Sequence, residues 1–301
     1  MSEVRYLVRY SPLHAVVFVC IFQNEEKARA AMLEFLNAVM MHVGEEPISE
    51  IIDMASEYAV MGESADQKYG RLDVRVKAQS GRLYDVEVQI EKDYMNERGF
   101  FYGGRMGEDE FKAGTPYNKM PEVRVISLVD FYVREGSETV VEPVVLAYEN
   151  EPTEIATQKF KMFHIQLPAF RKEHKTLESV KGDTFLTWLY MFDQGYKNPE
   201  EMEVLSEMSE GLRNFAQRYN YAINDPELIR RYRMVEDGKR EVATKIAVAE
   251  EKAEARGEAR GIEIGEAKKN RENAKAMKEL GIELSLIHKI TGLALEEIEV
   301  L

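Results

Sequence analysis

The segment GRLDVRVKAQSGRLYDVEVQI, residues 70–90, constrains the fold more than any other part of the chain. Apolar side chains fall on the even positions Leu72, Val74, Val76 and Ala78, and again on Val86, Val88 and Ile90. Between the two runs, Gln79-Ser80-Gly81-Arg82 has the composition of a tight turn. This period of two predicts a β-hairpin with one apolar face. The other face carries Arg71, Asp73, Arg75 and Lys77 on the first strand and Asp85, Glu87, Gln89 and Glu91 on the second. A turn centred on Ser80 sets Asp73 opposite Glu87, with Cβ atoms roughly 5 Å apart.

Two carboxylates at that separation can share Mg²⁺ or Mn²⁺, hard ions that prefer oxygen ligands and keep several waters. A metal-acidified water can attack a phosphodiester. Gln89, one pleat repeat on, can position that water or hold a phosphate oxygen but cannot act as a base. Arg71, Arg75 and Lys77 share the face and can hold backbone phosphates. The same alternation also describes a half-exposed hairpin whose charges meet solvent or guard an edge, so the pattern by itself leaves both readings open.

Apolar positions Ala28, Ala31, Met32, Phe35, Leu36 and Val39 recur at helical spacing, predicting a helix capped by Gln23 or Asn24. A strand is expected near 51–60. A helix of roughly 18 residues, loosened by Gly99, Gly103, Gly104 and Gly107, follows the hairpin. EVRVISLVDFYV reads as a buried strand, and VVEPVVLAYE and QKFKMFHIQL as further strands. Beyond Leu177 the pattern is helical. It ends in a long stretch of mixed charge with Gly257, Gly261 and Gly265 at four-residue spacing, read as a solvated or self-associating helix. Two short amphipathic helices flank Thr291-Gly292; no basic recognition helix follows them.

The net charge of -14 excludes a generally basic surface, so any DNA contact rests on a local patch or on metal ions. Lys68, Arg71, Arg75, Lys77 and Arg82 form such a patch, with Asp73 the one acid among them. The apolar run 15–22 is too short to span a bilayer, and a cytoplasmic location without membrane association is expected. Cys20 lies in that run and reads as a core thiol; Trp188 reads as core on its helix face. The five histidines are scattered without metal-ligand spacing, and no phosphate-binding glycine loop occurs. Glu57 and Asp66, ahead of the hairpin, read as surface charge.

The spacing Leu72-Asp73, then Glu87-Val88-Gln89, resembles the core motif of the PD-(D/E)XK nuclease superfamily, with Gln in place of the usual Lys. More closely, the chain resembles the Rpn family of recombination-promoting nucleases and transposase-like proteins over nearly its whole length. FQNEEKARAAMLEFLNAVM is similar to the family's opening helix, and residues 70–90 to its catalytic hairpin, where Glu-x-Gln is usual. ERGFFYGGRMGEDEFKAGTPYNKMPEVRVISLVDF is similar to its Arg-and-Tyr helix, turn and buried strand. FHIQLPAF, WLYMF and the Gly-x-x-x-Gly tail complete the order.

The resemblance implies an α/β fold of the restriction-endonuclease type, a mixed sheet flanked by helices, with a helical C-terminal region. It implies a Mg²⁺-dependent DNA endonuclease linked to recombination or mobile elements. Asp73 and Glu87 become metal ligands, Gln89 replaces the motif lysine, and Arg98 and Tyr102 face DNA. The expected organisation is a nuclease-like domain over 1–175, a helical extension over 176–235, and a long charged helix with a small helical hairpin over 236–301. Homo-oligomerisation through the C-terminal helices is expected. The departures are Ala15 and Val19, where the family has an acid and a lysine, and Gln166 and Ala169, where it has Glu and Lys. They keep a second reading alive: a catalytically inactive nuclease fold acting as an interaction module through its C-terminus.

Overall fold

The computed structural model describes residues 10–23, 25–57, 73–90, 92 and 94–301, without the side chains of Glu57 and Asp73. Two compact units divide the chain, 1–232 and 233–301. Arg71, Asn24 and Glu91 lie outside the described residues.

The hairpin forms as β2 (Asp73–Ala78) and β3 (Leu83–Gln89). Their register pairs Val74 with Val86, Arg75 with Asp85 and Val76 with Tyr84, the alignment a turn centred on Ser80 requires. β1 (Ile51–Glu57) joins β2 antiparallel. On the other side β4 (Val123–Val129) runs parallel to β3, and β8 (Phe160–Gln166) parallel to β4. β5 (Val141–Val145) closes the far edge antiparallel to β8. The result is a six-stranded mixed sheet in the order β1-β2-β3-β4-β8-β5, flanked by helices. A second hairpin, β6 (Ala147–Tyr148) and β7 (Glu151–Ile155), stands apart from it.

Parallel neighbours need a crossover, and α3 (Met95–Glu110) supplies it between β3 and β4. The α3 glycines, expected to loosen the helix, instead let it approach the sheet. A Cβ at Gly103 would lie 2.6 Å from Phe160 Cε2 and 2.8 Å from a Val125 methyl, and one at Gly99 would lie 2.8 Å from Met162 Sδ. Gly107 is buried on the same stripe, while Gly104 faces open space. Leu83, Met106, Val123, Val125 and Met162 form the core beneath α3.

The opposite sheet face, Val74, Val76, Val86 and Val88, is buried and lies on the side of α1 (Ala15–Ile21) and α2 (Glu26–His42). The apolar run 15–22 is thus a buried helix and not a strand or span. The N-cap of α2 is Glu25 and not Gln23. The Glu25 carboxylate accepts instead from Arg218 (2.5 Å), whose guanidinium also donates to the carbonyls of Cys20 and Ile21. Those are C-terminal carbonyls that a helix leaves without partners.

Arg218 sits on α7 (Glu210–Ile223). Between β8 and α7 lie α4 (Leu167–Glu173), α5 (Thr184–Asp193) and α6 (Pro199–Met208). Trp188 is fully buried among Phe35, Phe192 and Phe215, and its indole N–H donates to Glu34 (3.1 Å). Cys20 is a buried free thiol, and burial pushes its pKa up.

α8 (Pro226–Glu279) leads into the second unit. There Ala274 packs with Ile287 of α9 (Leu284–Thr291) and Ile298 of α10 (Leu295–Glu299). No helix among the described residues is long and apolar enough to cross a membrane.

At the start of β4 and β8, Glu45 accepts from Lys161 (2.5 Å) and Arg124 (3.0 Å), and Arg124 is buried. Burial pushes the Glu45 pKa up, but the bonds from Lys161 and Arg124 outweigh it and hold the group below the usual carboxylate range. A depressed carboxylate stabilises the fold above its unfolded pKa of about 4.3 and loses that contribution as pH falls through the folded value.

Two outcomes follow. Gly103→Ala should cost about 1–3 kcal/mol by overpacking, whereas Gly104→Ala should stabilise by about 0.5–1 kcal/mol; urea unfolding of the pair separates contact from propensity. Glu45→Gln should cost about 1–3 kcal/mol at neutral pH, and its deficit relative to the parent should shrink below about pH 4, read from urea midpoints across pH.

Candidate functional site

One row of polar residues crosses the sheet in Cα register. Glu57 faces Asp73, and continuing the β2–β3 register by one pair brings Asp73 opposite Glu87. Glu87 is paired with Ser127, Ser127 with His164, and His164 with Glu142. The row lies toward the carboxyl ends of the parallel strands β3, β4 and β8, the edge at which open α/β sheets bind ligands.

The β3 charges do not meet solvent. Asp85 is 1% exposed and Glu87 4%, because α3 covers the sheet face on which they lie. Buried carboxylates are costly unless positive charge or donors compensate them, so a plain solvent-facing hairpin does not describe this strand. Gln89, the next residue on the same side, is half-buried.

Sequence spacing gave no reason to join Ser127, His164 and Asn96 to this site, since the row is assembled only by strand order. His164 is fully buried, and its Nε2 lies 3.0 Å from Asn96 Oδ1 in the first turn of α3. Asn96 accepts with that atom, so Nε2 carries the proton. Burial pushes the His164 pKa below the ordinary imidazole value against the pull of Glu87 and Glu142, which favours the neutral ring. Neither His164 Nδ1 nor the buried Ser127 hydroxyl has a hydrogen-bond partner among the described residues. Adjacent buried polar atoms of this kind are where ordered water sits. At the far end, hydroxyls of Ser137 and Thr139 and the Arg134 guanidinium hold Glu142, lowering its pKa.

The remaining candidates divide. Lys77 meets Glu110 at 2.5 Å and Arg75 lies 3.9 Å from Asp109, both acids on the last turn of α3. Arg98 and Tyr102 are half-buried on α3, with the Tyr102 ring edge-on to Phe101 at 5.2 Å.

The family departures have structural counterparts. Ala169 and Val19 are buried. Gln166 accepts from Val133 N (2.8 Å) and donates to Ser137 Oγ and the Thr139 carbonyl (both 2.8 Å). A glutamate at 166 can accept the first of these bonds but cannot donate the other two when ionised.

Among the described residues no three His, Cys, Asp or Glu side chains gather closely enough to hold a metal ion. The Asp73 side chain is not among them. The carboxylate oxygen of Glu87 and the amide oxygen of Gln89 are hard donors, which suit a hard divalent cation over a soft one.

No curated protein and no solved structure matches the chain significantly. One family does, described as PD-(D/E)XK nuclease family transposase, over residues 12–249. Members of this superfamily usually use divalent metals, and the match gives the chain a nuclease- or transposase-like role. With the mixed sheet, its crossover helix and the acidic row at the sheet's carboxyl edge now in place, the chain belongs to the PD-(D/E)XK nuclease family transposases.

Proposed function

We propose that the chain is a divalent-metal-dependent DNA endonuclease acting in recombination or in the movement of genetic elements. The observation that carries this reading is the buried Glu87 carboxylate, in register with position 73 at the carboxyl edge of the family's sheet. Asp73 and Glu87 hold the ion, Mg²⁺ or Mn²⁺. When bound, it makes a water more acidic and polarises a phosphate oxygen. Gln89 orients the water or the phosphate from the next position of the strand. It lacks the charge of the motif lysine, so more of the phosphate's charge falls to other groups.

Arg98, half-buried on α3, is one candidate cation for that task. For Arg75 and Lys77 to hold DNA they must leave Asp109 and Glu110. The competing reading, a quiet nuclease fold working through its C-terminal unit, draws on α8, whose residues 239–269 are exposed all round. In that case truncation after residue 235, and not loss of Asp73, would remove the biological effect.

Supercoiled-plasmid nicking separates the two. Cleavage should require Mg²⁺ or Mn²⁺, stop in EDTA, and fall at least about 100-fold in Asp73→Ala and Glu87→Gln, with circular dichroism unchanged. Equal nicking by parent and variants would end the endonuclease reading. A second outcome concerns the acids of α3. Asp109→Asn with Glu110→Gln should strengthen DNA binding and steepen its salt dependence by about one counterion per freed cation, measured by anisotropy over a salt series.

A further inference from the structure

The outer face of α3 carries an arrangement of which the site as described uses only Arg98. Half-buried Arg98, Phe101 and Arg105 follow one another at i, i+3 and i+7 on one stripe of α3, and Tyr94, its N-cap, precedes them by about one turn. That stripe is opposite Gly99, Gly103 and Gly107, the positions pressed to the sheet. Tyr94 is 75% exposed and Phe101 61%, and Arg105 is exposed between the turns. Phe100 is also exposed, but its ring packs edge-on against Phe160 at 5.6 Å; Phe101 touches only its neighbour Tyr102 among the ring contacts described. Large aromatic rings left in water on a charged helix mark a binding surface.

We propose that this stripe is a stacking platform for unpaired bases, so that the substrate at the adjacent acidic row is DNA with single-stranded character. Alternating aromatic rings and guanidinium groups is the chemistry that holds a single strand: rings stack on bases, and arginines meet phosphates or stack in turn. Glu97 and Glu108 border one side of the stripe. They disfavour a duplex, which presents phosphates along both walls. A single strand can turn its bases to the rings and its phosphates toward Arg98 and Arg105. Position supports the same occupant. The first turn of α3 lies over the row through the Asn96–His164 bond, so the stripe begins at the edge where Glu87 and Gln89 stand. The inference deepens the nuclease reading by naming its substrate class.

The test uses full-length protein in EDTA, so that binding is read without cleavage. Anisotropy compares a fluorescein-labelled oligothymidylate of about 20 nucleotides with a duplex of equal length. The parent should bind the single strand more tightly. Phe101→Leu and Tyr94→Leu should each weaken single-strand binding about tenfold, with duplex binding changed less than about twofold. Phe101→Trp should retain it, and Arg105→Gln should reduce the salt slope by about one.

Equal affinity for both DNAs, or no effect of Phe101→Leu, overturns the platform. So does an oligomer, seen by sedimentation, that Phe101→Leu dissociates, because the stripe would then be a protein interface. Glu87→Gln should keep single-strand binding. If that variant also keeps nicking activity while Phe101→Leu loses the single strand, the platform stands and the carboxylate assignment falls.

Discussion

The close contact between α3 and the sheet is the constraint on which the rest of this fold depends. A helix whose inward residues carry no side chain can lie against Val125, Phe160 and Met162 at a separation that a methyl group would prevent. Everything near the row is referred to that contact. It covers Asp85 and Glu87 and brings Asn96 to His164. It also sets the last turn, with Asp109 and Glu110, beside Arg75 and Lys77. The helical propensity lost at Gly99, Gly103 and Gly107 is offset by core contacts that an alanine helix cannot make.

The hairpin was legible because a period of two fixes the face of every side chain once the turn is placed. The pairing of Arg75 with Asp85 and Tyr84 with Val76 needed nothing beyond Ser80 and the alternation. The burial of that charged face was not legible, since alternation states which residues share a side and not what covers it. The same limit applies to α1. A helix buried on nearly every side has no polar stripe, and residues 15–22 therefore show hydrophobicity without period. α4 was hidden by Leu167-Pro168, which continued the apolar run of β8 although proline is well placed in a first helical turn.

His164 illustrates the remaining gap. Among scattered histidines it had no sequence neighbour to pair with, and its relation to Glu87 arises only because β4 lies between β3 and β8. Residues far apart in the chain become one row through strand order, which no local pattern encodes. The family match settles the fold around that row. The chemistry proposed for the row rests on Glu87, a buried carboxylate whose company the sequence could not count.

Gln166 shows what a departure from a family pattern does to its surroundings. Its amide reads a donor at Val133 and two acceptors at Ser137 and Thr139, holding together the loop that also encloses Glu142. Restoring the family's glutamate there would set an anion against a carbonyl oxygen in a site closed to water. Glutamate is therefore not a neutral alternative at this position. The loop is organised around the amide, so position 166 tolerates a neutral donor-and-acceptor side chain and works against an ionised one.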